Sequence, residues 1–192
     1  MGVASAAAPV TDAAAYSLVR SPSFAPEETG LDLTERVQGG VGDPLRAEEL
    51  VLPQDIADQI VAHLVRSLPA EGCGLLAVRS GESSVTAVMF YEGRNVDRSA
   101  TRYTMEPRDV LGALRDIDRH GWLLGAIVHS HPGGPPTPSP VDLSEARYPG
   151  VLLGIVGMAS RPPRLRFWRL HRDRDRAPEE VGWRLAPPRA DL

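Results

Sequence analysis

His129 and His131 stand one residue apart, and the stiff run PGGPPTP separates them from Ser139, Pro140 and Asp142. Neutral imidazole is the commonest biological metal ligand. Side chains two apart on a strand share one face, so both rings can address one point. Asp142 would add a third donor. Structural zinc usually takes four protein ligands, whereas catalytic zinc takes three and keeps a position for water, so this count points to hydrolysis. A purely structural use fits the same residues. Histidines at a strand end can cap exposed backbone, and Ser139, Pro140 and Asp142 match the N-cap, first and third positions of a helix. The two uses are compatible, because a helix N-terminus also favours the anionic, ligating form of Asp142. Five prolines (132, 135, 136, 138 and 140) stiffen the turn, and Gly133 and Gly134 relieve it where it bends.

The elements that must position these residues are legible in outline. Ile56, Ile60, Val61, Leu64, Val65 and Leu68 recur at helical spacing between Pro53 and Pro69, which predicts a first helix. CGLLAVR and SSVTAVMFYEG read as strands, and NVDRSATRYTMEP as a polar connection in which Tyr103 and Met105 touch the core. Val110, Leu111, Leu114 and Ile117 predict a second amphipathic helix, stopped by Gly121. WLLGAIV is a continuous apolar run of the kind buried on both faces, and it delivers the chain to His129. A short helix in VDLSEARY, a strand VLLGIVGM and a strand RLRFWRL follow; HRDRDRAPEE reads as a solvated charge run. Helices and strands intermix, so the class is α/β or α+β.

Length and composition bound the rest. The 192 residues suffice for one domain with a sizeable core. Residues 1–48 are rich in Ala, Ser, Pro, Gly and acidic side chains without periodicity, and are expected to form a disordered extension before a domain at 49–186. A formal net charge of -4 argues against a nucleic-acid partner. The longest apolar runs are too short to span a bilayer, and the N-terminus lacks the pattern of a signal peptide. The single cysteine, Cys73, rules out an internal disulfide and Cys-rich zinc sites, and fits a reducing, cytoplasmic location. It also excludes the zinc nucleobase deaminases, which need a Pro-Cys-x-x-Cys set.

The spacing His-Ser-His-Pro, then six residues, then Ser-x-x-Asp resembles the JAMM motif of the MPN+ (JAB) zinc metalloproteases. The run EGCGLLA beginning at Glu71 is similar to the Glu-x-Cys-Gly-Leu-Leu context of that family's catalytic base, and Asn95 with RYTMEP looks like the loop of its small prokaryotic members. The resemblance covers roughly residues 50–172. It implies an α/β domain with a curved mixed β-sheet flanked by helices, akin to the cytidine deaminase architecture. It implies one zinc ion per chain held by His129, His131 and Asp142. Glu71 would be the base that moves a proton from water to the leaving amine, and Ser139 a donor to the oxyanion. The implied substrate is the C-terminal Gly-Gly-type tail of a ubiquitin-like or sulfur-carrier protein, cut at a peptide or isopeptide bond. Two other readings stand beside it: a non-catalytic MPN scaffold that binds a partner, and a protein like the RadC type linked to DNA repair. On the residues alone, Glu71 at a helix-to-strand junction also reads as an ordinary surface acid.

Overall fold

The computed structural model describes residues 49–189 except 82, 146, 147, 149, 172, 174 and 175. The expected extension, residues 1–48, lies outside the described residues. Among the described residues seven strands occur: β1 (Glu49–Pro53), β2 (Cys73–Ser80), β3 (Ser84–Gly93), β4 (Leu123–His131), β5 (Leu152–Gly157), β6 (Arg164–Arg169) and β7 (Glu179–Ala186). The described residues also form three helices that interleave with them: α1 (Gln54–Arg66), α2 (Pro107–Arg119) and α3 (Pro140–Glu145).

The strands close into a barrel in the order β1-β3-β2-β4-β5-β6-β7, with β1 lying parallel to both β3 and β7. The expected α/β class with a curved mixed sheet is found, and the sheet curves far enough to close, which was not expected. The difference comes from two strands that periodicity does not reveal. Glu49–Pro53 runs directly into α1, and three apolar residues with no turn after them do not stand out as a strand. β7 buries only Val181 among largely exposed neighbours, so its pattern is too weak to stand out. The supposed charge run ends inside β7: Glu179 and Glu180 pair with Arg169 and Arg166 of β6 at 3.0 and 3.1 Å.

Alternation across the strands builds two cores. Leu76, Val78, Ala126 and Val128 join Ile56, Ile60 and Leu64 of α1, with Phe167 and Val181, in the larger one. Cys73, Leu75 and Met105 pack with Val110 and Ala113 of α2 in the smaller. Of the residues whose spacing predicts the first helix, Val65 and Leu68 are instead 42% and 45% exposed, and Leu68 lies beyond the end of α1; the buried stripe is narrower and falls on Ile56, Ala57, Ile60 and Leu64. Gly121 has φ 65° just past α2, the left-handed end that the sequence anticipates there.

Phe167 is fully buried and packs against Trp183 and Gly154, so it ties β6 into the barrel. Phe167→Ala is expected to cost about 3–5 kcal/mol of unfolding free energy, read from denaturant midpoints at constant slope. A loss below about 1 kcal/mol would mean that β6 is not part of this core.

Candidate metal centre and the groups around it

The odd-numbered residues at the end of β4 face the α2 side of the sheet and the even-numbered ones face α1. His129 and His131 therefore share a face, and Ser130 points to the other. The Pro/Gly loop after β4 is anchored rather than loose. His131 C=O accepts from Met158 N–H at 3.1 Å, and the Trp168 indole N–H donates to the Pro136 carbonyl at 2.9 Å. Gly157 of β5 must lack a side chain, because a Cβ there would stand 2.5 Å from the Pro136 backbone nitrogen.

The loop delivers α3 in the cap arrangement expected from its sequence. Ser139 donates from its N–H and its hydroxyl to Asp142 Oδ2 at 2.7 and 2.6 Å, and Asp142 N–H returns a bond to Ser139 Oγ at 3.2 Å. Each partner satisfies groups that a helix start would otherwise leave open. Asp142 is thereby aimed at the histidines: His129 Nε2 lies 3.2 Å from Oδ1 and His131 Nε2 3.3 Å from Oδ2.

The two Nε2 atoms face each other at 3.0 Å. His131 Nδ1 is 2.9 Å from the Pro135 carbonyl, which can only accept, so in the neutral ring the proton sits on Nδ1 and the Nε2 lone pair faces His129. Acceptors so close to each other and to a carboxylate are satisfied by a proton on His129 Nε2 or by a cation held among them. Donors at about 2.0–2.1 Å from a tetrahedral metal stand roughly 3.3–3.4 Å apart, close to the spacing seen here. One ligand atom from each of His129, His131 and Asp142 lies within 4.8 Å of the others, and the set fits a metal ion. His129 is fully buried, with the Tyr103 ring stacked on it at 4.9 Å between centroids.

The electrostatics are those of a coupled cluster. Burial works to raise the Asp142 carboxyl, but bonds from His129, His131 and Ser139 and the charge of His129 hold it well below the ordinary carboxylate range. Burial also opposes a charge on His131, yet Asp142, the Pro135 carbonyl and Glu71 together raise it. Glu71 is only 5% exposed, in the bend between α1 and β2. Burial pushes its carboxyl up to about 7; the charge of His131 opposes that rise and the charge of Asp142 adds to it. A surface acid would not behave so.

Of the five expected site residues, His129, His131, Ser139 and Asp142 are joined by direct contacts, and Glu71, expected from the family resemblance, is buried where the charges of His131 and Asp142 act on its carboxyl. Two further residues escape a reading of residue types. Ser130, inside the His-Ser-His run, exchanges bonds with Gly72: its Oγ accepts from Gly72 N–H at 2.9 Å and its N–H donates to Gly72 C=O at 3.0 Å. Tyr103 packs beside the small core, as expected, but its ring also walls the histidine. His63 bonds the carbonyls of Cys73 and Gly93 at 3.0 and 3.2 Å, and so ties α1 to the strand ends.

Comparison with known proteins agrees with this geometry. The family model described as prokaryotic homologs of the JAB domain matches residues 53–171. A probable TtuB-protein conjugate cleaving protease of Thermus thermophilus is 38% identical over 124 residues, spanning 63% of this chain and 80% of that protein. A desampylase of Haloferax volcanii is 32% identical, over 61% of this chain and 86% of its own length. A CysO-cysteine peptidase of Mycobacterium tuberculosis is 30% identical, over 68% and 87%. The solution structure of a protein from Desulfitobacterium hafniense superposes with a TM-score of 0.65 at 28% identity, covering 72% of this chain and 93% of that one. With the model match extending from α1 to β6 and over every site residue, the chain belongs to the prokaryotic homologs of the JAB domain.

Proposed function

We propose that the protein is a zinc-dependent peptidase that cuts a peptide or isopeptide bond at the Gly-Gly-type C-terminal tail of a ubiquitin-like or sulfur-carrier protein. The observation that carries this reading is the convergence of His129, His131 and Asp142 on one point with the buried Glu71 carboxyl coupled to it. The relatives named for cleaving TtuB conjugates, for desampylation and for CysO-cysteine peptidase activity support the substrate class. Residues 49–186 form the catalytic unit in this reading. Its mixed sheet, with donors at a strand end and a helix start, supports kinship with the cytidine deaminase architecture.

His129, His131 and Asp142 hold one zinc ion. Bound there, zinc supplies Lewis acidity and lowers the pKa of water to about 7. Glu71 takes the proton released from the attacking water onto its carboxylate and delivers it to the nitrogen of the leaving amine. Without metal, burial raises that carboxyl to about 7, and the charge of bound zinc would draw it back towards the ionised form that accepts the proton. Ser139 holds Asp142 through its hydroxyl and its N–H. Its second duty, donating to the oxyanion, requires the hydroxyl to turn away from Oδ2, with the N–H keeping that oxygen in place. We place the protein in the reducing cytoplasm, where Cys73 stays a thiol. It is fully buried, and burial together with the charges of Asp109, Glu71 and Asp97 pushes it up to about 12, which makes it inert.

The direct test is mass spectrometry of two substrates, a sulfur-carrier protein bearing a C-terminal cysteine and a Gly-Gly tail joined to a lysine side chain. Glu71→Gln is expected to retain zinc and lose about 10²–10⁴-fold in turnover. Normal turnover in that variant, or no cleavage of either substrate by the zinc-loaded wild type, would refute the reading. Asp142→Asn is expected to lose zinc affinity by about tenfold or more, measured by competition with a chelating dye.

A pH dependence follows in the metal-free protein. The Glu71 carboxyl ionises near 4.5 when unfolded and near 7 when folded, so its contribution to stability is full below 4.5 and is lost as the pH rises to about 7. Glu71→Gln removes that loss. Its unfolding temperature should exceed that of wild type by several degrees at pH 8 and by much less at pH 4.5. A difference that does not change with pH would show that Glu71 is not buried as an acid.

A further inference from the structure

Glu71 precedes β2, so no strand partner holds its peptide groups. Both are taken up by the segment from Arg94 to Glu106. Glu71 N–H donates to the Ser99 carbonyl at 2.7 Å, and Glu71 C=O accepts from Asn95 Nδ2 at 2.9 Å. Asn95 also donates to the Arg102 carbonyl at 3.1 Å, while its Oδ1 accepts from the N–H groups of Asp97 and Thr104 at 3.0 and 3.1 Å. Every donor and acceptor position of this amide is used, and turning the amide over would set like against like at all of them. The same segment pairs Asn95 with Met105, bonds Val96 N–H to Thr104 C=O at 2.9 Å and Glu106 N–H to Arg94 C=O at 2.8 Å, and stacks Tyr103 on His129.

We infer that Asn95 is a positioning residue for Glu71: it locks the 94–106 segment into one conformation and through it fixes the carboxyl against the metal ligands. The inference rests on the reading of Glu71 as the proton-transfer group. The residue type is required, because only an amide offers donors to two carbonyls and an acceptor to two N–H groups at once. Asparagine reaches these four partners from one side chain. An aspartate would keep Oδ1 for Asp97 and Thr104 but turn a second acceptor towards the carbonyls of Glu71 and Arg102. Asn95→Asp therefore keeps the two bonds to Asp97 and Thr104 that hold the loop while giving up those to Glu71 and Arg102.

The experiment compares wild type, Asn95→Asp, Glu71→Gln and the double variant as zinc-loaded full chains on the same two Gly-Gly-tailed substrates. Zinc content and amide hydrogen exchange at Glu71 are measured in parallel. Asn95→Asp is expected to lower kcat about 10–100-fold, with KM within about threefold of wild type and zinc content unchanged. In the Glu71→Gln background it should cost nothing further, because the group it serves is gone. A kcat within about twofold of wild type, an equal loss in the Glu71→Gln background, or a loss of zinc would overturn the inference. If wild type cleaves neither substrate, the peptidase reading fails by itself. Exchange then decides for Asn95: a faster Glu71 amide in Asn95→Asp supports the clamp, and an unchanged one overturns it.

Discussion

The reciprocal pair of bonds between Gly72 and Ser130 is the contact on which the rest of the site depends. It joins the residue after the buried acid to the residue between the two histidines, 58 positions along the chain. It carries the pairing of β2 with β4 one step past Cys73 and His129, up to the residue that follows Glu71. With it, the acid and the imidazoles share one rigid frame, because Cys73 pairs with His129 on the next rung. A strand register is therefore also a catalytic distance. Gly72 itself leaves no room for a side chain, since a Cβ would meet Leu64 Cδ2 at 2.7 Å.

The third donor comes from outside the sheet, and its placement shows how a helix start is reused. The bonds that complete the first turn of α3 are the bonds that fix the Asp142 carboxylate. Stability and ligation here draw on the same atoms, so the capping and metal readings of Ser-x-x-Asp were never alternatives. The Pro/Gly loop contributes rigidity through specific anchors, the Trp168–Pro136 bond and the packing of Pro136 against Gly157, rather than through proline content alone. Ordering such a loop before a metal arrives lowers the entropy lost on binding.

Much of this was legible in the sequence, for reasons that differ by element. α2 and the core face of α1 follow from spacing of 3.6, and the donor set from residue types and their separation. β1 escaped because three apolar residues with no turn after them do not stand out as a strand, and β7 because one buried valine among charged and exposed neighbours is no pattern. The closed barrel went with them. Asn95 could be marked only by its resemblance to a family loop. Its work is done on main-chain atoms of Glu71, Asp97, Arg102 and Thr104, and main-chain partners leave no trace in residue identity. Ser130 is hidden for the same reason.

The strand directions give the barrel two unlike poles. Gly93 ends β3 opposite Cys73, and Cys73 pairs with His129, so those ends make the chemical pole. β1 runs parallel to β3 and starts opposite Ser84, at the other pole. Whatever precedes Glu49 therefore joins the barrel on the side away from the histidines. A body joined directly at Glu49 would sit on that side, away from the histidines. An attachment following β7, whose Ala186 lies beside Pro53 part-way up the wall, starts nearer to the chemical pole.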